Sequence, residues 1–185
     1  MKRQLLIGCG IVRLKRMHVN GETEWQELVT LDRNPDCKPD VVHDLEYLPY
    51  PFQDNEFDEI HAYGVLEHLS DQGDYKSFFA QFSEFYRILK PEGLLFAIVP
   101  NDMHAQQWGD PSHRRAINAV TLAFLNQANY EQCGQTLMTD FRDCYKANFI
   151  LGWNQTDPDL YQFVLQAVKP MGEVPGWTSA NTHKE

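Results

Sequence analysis

At 185 residues the chain is the size of one globular domain and long enough to bury a substantial core. Its 16 Lys and Arg against 26 Asp and Glu give a formal net charge of −10, which disfavours nucleic acid as a partner, because general phosphate-backbone binders present a dominant basic surface. The cysteines Cys9, Cys37, Cys133 and Cys144 form no Cys-x-x-Cys pair, and neither a signal peptide nor an apolar run near the ~20 residues of a membrane helix is present, so a cytoplasmic protein with no membrane contact and no structural zinc is expected.

The apolar run Leu5-Leu6-Ile7 breaks into the turn Gly8-Cys9-Gly10, and a second run, Leu28-Val29-Thr30-Leu31, ends in Asp32. A strand, a glycine turn and an acid-tipped second strand form the nucleotide-handling half of a doubly wound α/β fold. Asp32 lies where a carboxylate accepts hydrogen bonds from both ribose hydroxyls, so the site reads as adenosine-binding. A dinucleotide fold wants a third glycine three residues after the second, and Arg13 stands there, which weakens a nicotinamide-dependent oxidoreductase. No P-loop is present either. S-adenosylmethionine, which carries no phosphate, fits a turn of this kind. The first crossover alternates and carries Asn20-Gly21, a hairpin turn signal, so a loop or hairpin is expected there in place of a helix. Its basic cluster Arg13, Lys15 and Arg16 reads either as a partner for an anionic ligand group or as a solvated face.

Further strands are predicted at Val41-Val42-His43-Asp44-Leu45, over 57–63 and over 93–101. Phe78, Phe82, Phe85 and Leu89 recur at helical spacing and predict a helix over 74–90, closed by Lys90-Pro91-Glu92-Gly93. A helix over 119–127 and a terminal strand pair at 147–153 and 161–168, with 154–159 as the turn region, complete a domain running to about Pro170; 171–185 reads as a loose tail. The alternation is α/β with a mainly parallel sheet.

Ile7-Gly8-Cys9-Gly10, Asp32, the segment 44–60, Val65-Leu66-Glu67-His68-Leu69 and Phe85-Tyr86-Arg87-Ile88-Leu89-Lys90-Pro91-Glu92-Gly93 follow one another as do the motifs of class I S-adenosylmethionine-dependent methyltransferases, and the chain most resembles their small type-11-like group. It departs from that pattern at Leu6, where many members carry an acid, and at Val12, which replaces a third glycine. The resemblance implies a Rossmann-like sheet of seven strands with an antiparallel terminal strand, a reduced or absent N-terminal helical cap, and S-adenosylmethionine as cofactor. It implies a cofactor site of Gly8, Cys9, Gly10, Asp32, Arg33, Asp44, Leu45, Tyr63 and Gly64, with Asp44 facing the adenine amino group, Leu45 on the ring, and Tyr63 and Gly64 bordering the methionine part.

Methyl transfer from a sulfonium depends on alignment and desolvation, and a base is needed only where the acceptor holds its proton tightly. His68, Asp110 and His113 are the catalytic candidates. Glu67-His68 either supplies the base or caps the following loop, and Asp110 and His113 either act on the acceptor or fasten their loop to the sheet. In that loop Trp108 is read as a wall and Arg114 as an anion clamp. No metal is assigned, because relatives that hold one with such a Glu-His pair carry a further carboxylate one turn earlier, where Gly64 stands here. The expected activity is methyl transfer to O or N of a small molecule or a modified sugar or nucleotide; the alternative is a non-catalytic S-adenosylmethionine-binding module or the partner subunit of another enzyme. A homodimer is one arrangement that would cover the open side left by a missing cap.

Overall fold

A computed structural model describes residues 1–170 of the chain, so the expected tail at 171–185 lies outside the described residues. Strands β1 (Arg3–Ile7), β2 (Glu27–Asp32), β3 (Val41–Val42), β4 (Phe57–Tyr63), β5 (Leu89–Pro100), β6 (Phe149–Thr156) and β7 (Leu160–Ala167) form one sheet in the order β3-β2-β1-β4-β5-β7-β6. Strand β7 runs antiparallel to both β5 and β6, while the pairings among β1 to β5 are all parallel. Strand order reverses between β1 and β4, the place where open α/β sheets bind ligands beyond the carboxyl ends of their strands.

The two faces of the sheet are built differently. Leu5 and Ile7 of β1, Ile60 and Ala62 of β4, Leu95, Ala97 and Val99 of β5, and Phe163 and Leu165 of β7 belong to one large core. Helix α1 (Tyr75–Ile88) supplies Phe78, Phe79, Phe82, Phe85 and Ile88 to it, at the spacing of three and four that keeps one stripe of a helix inward. Asp74 caps this helix by accepting from the Ser77 N–H at 3.1 Å. The predicted closing turn at 90–93 is instead a bulge within β5. Phe57 pairs with Leu89 and Glu59 with Leu94, so the intervening residues loop out, and a Cβ on Gly93 would stand 2.9 Å from the Lys90 carbonyl oxygen.

On the opposite face the first crossover, 8–26, is a loop with no helix or strand. Asn20 and Gly21 adopt φ values of 54° and 76°, and the Glu22 N–H reaches the Val19 carbonyl at 3.2 Å, so the expected turn forms while its flanks do not pair with each other. They are fastened to β4 instead. Glu59, His61 and Tyr63 point from alternate positions of that strand into the crossover. The Met17 N–H donates to the Tyr63 hydroxyl at 3.2 Å, Tyr63 and His61 Nδ1 lie 2.6 Å apart, and His61 Nε2 lies 3.2 Å from Glu59 Oε2. Lys15, expected in a solvated or ligand-facing cluster, is a buried counter-ion 3.5 Å from Glu59, and Trp25 sets its ring edge against His61. Of the other two basic residues, Arg13 donates to the carbonyls of Cys37 and Lys38, and Arg16 lies over the Tyr63 ring.

After β5 come the short helices α2 (Ala105–Gly109) and α3 (Ala119–Ala123). The helix expected over 119–127 stops early because Asn129 Nδ2 donates to the Ala123 carbonyl and the Asn126 side chain starts a 3-10 turn, Gln127–Gln132. The terminal hairpin is longer than expected and leaves only 157–159 between its strands. Among the described residues no helix is long and apolar enough to cross a membrane.

Candidate active site

A cleft of about 450 Å³, within the range of small-molecule sites, opens beyond the carboxyl ends of β1 to β4. Gly8, Leu31, Asp32, Arg33, Asp44, Leu45, Gly64, Val65, His68 and Ser112 are among its walls. Asp32 is held in place by the glycine turn itself: its Oδ2 accepts from the Gly10 N–H and its Oδ1 from the Asn34 N–H, both at 2.9 Å. An ionised carboxylate has about four acceptor positions, so two remain for a ligand's paired hydroxyls. Gly8 has a φ of +57°, and a Cβ built on it would stand 2.5 Å from Val65 Cγ2. Only a residue without a side chain lets the turn pass this close to the segment after β4.

Asp44 stabilises a turn by accepting from the Glu46 N–H at 3.0 Å, and the buried Leu45 beside it offers an apolar surface to the cleft. Three residues assigned to the cofactor stand elsewhere. Cys9, Gly10 and Tyr63 border a second cavity of about 270 Å³ on the other side of the glycine turn, with Ile11, Val12 and Arg16, and Gly8 alone borders both. Burial pushes the Tyr63 phenol up to about 12, so it remains a hydroxyl and completes the crossover network.

At the far end of the cleft stands the 3-10 turn Leu66–His68. His68 lines the cleft and its Nδ1 donates to the Ser112 carbonyl at 3.0 Å. His113 does not reach the cleft wall; its ring packs edge-on to His68 with centroids 4.9 Å apart. Asp110 lies behind both, its Oδ2 3.7 Å from His113 Nε2 and its Oδ1 accepting from the Ser112 N–H and hydroxyl, bonds that hold the carboxyl below its usual range. Glu67 is buried under this loop. Its backbone carbonyl accepts from the Arg114 and Arg115 N–H groups, and burial pushes its carboxyl up to about 7.

Arg114 lines the cleft, yet it is no free anion clamp: it pairs with Glu46 and Asp71, each at 2.7 Å, and so joins the segments after β3, β4 and β5. Trp108 is exposed and donates to the Asp102 carbonyl, forming no wall of the cleft. Sequence reasoning missed the part of Glu46, which lies within the motif segment 44–60 but draws its role from its long-range partner Arg114.

The model of a family described as methyltransferase domain matches residues 5–97, just over half of the chain. The chain belongs to the class I S-adenosylmethionine-dependent methyltransferases. The match spans the glycine turn, Asp32, Asp44, Glu67 and α1, and with them most of the residues that wall the cleft; the cofactor of the family is S-adenosylmethionine. Solved structures share the fold of this methyltransferase at low identity. A methyltransferase from Archaeoglobus fulgidus is 19% identical with a TM-score of 0.55, covering 89% of this chain and 86% of its own. The Haloferax volcanii protein in complex with the Trm112 methyltransferase activator is 13% identical with a TM-score of 0.56, covering 91% and 83%. The N-methyltransferase NodS from Bradyrhizobium japonicum, solved with S-adenosyl-L-homocysteine, is 15% identical with a TM-score of 0.50, covering 91% and 79%. A search of curated proteins found no match.

Proposed function

We propose that this chain transfers a methyl group from S-adenosylmethionine to an oxygen or nitrogen of a small molecule or of a modified sugar or nucleotide. The observation that carries the reading is the Asp32 carboxylate, fixed by Gly10 and Asn34 at the cleft with acceptor positions to spare. Bound S-adenosylmethionine supplies a methyl group on a positively charged sulfur, a good leaving group. Asp32 holds the ribose, Leu45 packs on the adenine beside Asp44 and Arg33, and Gly8 and Gly64 give the methionine part room. The acceptor enters beside His68, the one member of the group of Glu67, His68 and His113 that borders the cleft, and gives up its proton there, while His113 packs on the His68 ring with Asp110 behind it. The methyl-accepting atom gains a carbon and gives up that proton. The other product of such a transfer would be the neutral thioether S-adenosyl-L-homocysteine.

Calorimetric titration with S-adenosyl-L-homocysteine tests the reading. The wild type is expected to bind, and Asp32→Ala to weaken binding roughly 10- to 100-fold, since hydrogen bonds to a charged partner contribute about 1.5–3 kcal/mol. A wild type that does not bind overturns it.

A second reading, a cofactor-holding subunit of another enzyme, is favoured by the side chains of Ile11 and Val12, which are 83% and 63% exposed at the second cavity, and by the exposed Leu14 of the same loop. That a structural neighbour is held by an activator protein agrees with such an arrangement. Methyl transfer by the isolated chain to extracted small molecules excludes it, whereas binding without turnover favours it.

A further inference from the structure

The geometry points to a divalent-cation site at the acceptor end of the cleft, with Glu67, His68 and His113 as its protein ligands. Each of the three offers one ligand atom, and these atoms lie within 4.8 Å of one another. They come from two segments, the turn after β4 and the loop after β5, that the backbone bonds from Arg114 and Arg115 to the Glu67 carbonyl hold together. Small side-chain rotations bring such donors to the separation of roughly 3.3 Å that a tetrahedral ion with bonds near 2.0–2.1 Å requires.

Two of the three ligand groups are buried with nothing to bind. Glu67 is 3% exposed, and its Oε2 has no hydrogen-bond partner among the described residues; the His113 side chain is 5% exposed, and its Nδ1 has none either. Leaving both groups bare in the interior is costly unless something satisfies them. A cation bound between them answers both at once.

The outer contacts fix each imidazole in the tautomer a cation needs. The Ser112 carbonyl can only accept, so His68 carries its proton on Nδ1 and presents the Nε2 lone pair. Asp110 Oδ2 lies 3.7 Å from His113 Nε2, longer than a hydrogen bond but close enough for its charge to favour the ring's proton on that side and the lone pair on Nδ1. An oxygen acceptor behind each metal-binding histidine is the usual way its ring is oriented. Asp110 is thus a positioning residue, itself held by the Ser112 N–H and hydroxyl.

Two imidazoles and one carboxylate suit Zn²⁺ better than Mg²⁺, and three protein ligands leave a fourth position open, as in catalytic zinc sites. Of the three ligand residues His68 borders the cleft, so a bound cation would stand beside the place where the acceptor enters. A cation held by these three residues would lower the pKa of an acceptor hydroxyl that reached it, the proton passing to solvent through the open cleft, and so would supply a nucleophilic oxygen. The acceptor class this favours is an alcohol or phenol. This use of the cation rests on the methyl-transfer reading, while its binding does not.

The test is titration of untagged, chelator-stripped full-length protein with Zn²⁺ by calorimetry and with Co²⁺ by visible absorption. One equivalent of Zn²⁺ per chain and an intense Co²⁺ spectrum are expected. Glu67→Gln and His113→Ala should each weaken Zn²⁺ binding at least ~10-fold, and Asp110→Asn, outside the ligand set, by a smaller factor. Circular dichroism and S-adenosyl-L-homocysteine binding of the same variants report folding separately. No Zn²⁺ binding, or binding that is unchanged in folded Glu67→Gln and His113→Ala, overturns the site. Zn²⁺ binding without any binding of S-adenosyl-L-homocysteine by the wild type counts against the methyl-transfer reading alone.

Discussion

Single side chains decide how close the glycine turn comes to the rest of the cleft. Gly8 combines a left-handed φ of +57° with the approach to Val65, so Gly8→Ala should cost roughly 1–3 kcal/mol and weaken cofactor binding. The two causes can be separated. Trimming the neighbour in Gly8→Ala/Val65→Ala removes the steric part and leaves the backbone strain, so chemical denaturation should show a favourable coupling between the two changes. Zero coupling would mean that the strain alone carries the cost. The pairing of Gly10 with Asp32 explains why spacing was informative at this position: the second glycine and the acid 22 residues later are hydrogen-bonded to each other. The same logic does not extend to Glu67 and His113. Nothing local to either residue announces the other, because they meet only through the path of the loop after β5.

At the scale of elements, the alternation in β4 was legible, yet its meaning was not. Ile60 and Ala62 mark the face under α1, as an apolar strand should, while Glu59, His61 and Tyr63 mark a polar face that substitutes for a helix. Helix α1 was readable because a single stripe of aromatic residues repeats within 14 positions, whereas α3 was overestimated because Asn126 and Asn129 end it by side-chain bonds that no periodicity reveals. The crossover network carries a prediction for acid. Burial alone would raise the Glu59 carboxyl, but hydrogen bonds from His61, Lys2 and Gln4 and the charge of Lys15 hold it well below the usual range. Burial also lowers His61, which stays neutral. For both groups the unfolded chain takes up protons more readily than the folded one, so each contribution is fullest above the ordinary value and is lost on acidification. Stability should therefore fall below pH ~6.5 on account of His61 and further below pH ~4.3 on account of Glu59. Glu59→Gln leaves the Lys15 ammonium buried without its counter-ion, and should cost roughly 3–5 kcal/mol at pH 7 while flattening the lower part of the decline. Urea midpoints from pH ~7 down to pH ~3 for the two proteins check both statements.

Across the molecule, Arg114 ties three loops together over the cleft through Glu46 and Asp71. Its partners are exposed enough that Arg114→Ala should change stability by less than about 1 kcal/mol. The expected effect lies in kinetics: faster dissociation of S-adenosyl-L-homocysteine in stopped flow, with the difference from wild type shrinking as salt screens the pairs. An unchanged dissociation rate would remove the latch. The loop that replaces the first helix has a further consequence. A helix guards its own amides, but the crossover at 8–26 has few backbone bonds of its own and depends on side chains from β4, so its amides should exchange with deuterium far faster than those of the paired strands β1 and β4. Every transient release of this segment loosens the turn that positions Asp32, and a ligand binds only the fastened form. Part of its affinity is thus spent on closing the protein, and Glu59→Gln, though far from the ligand's walls, should weaken binding by the fraction of time the segment lies open.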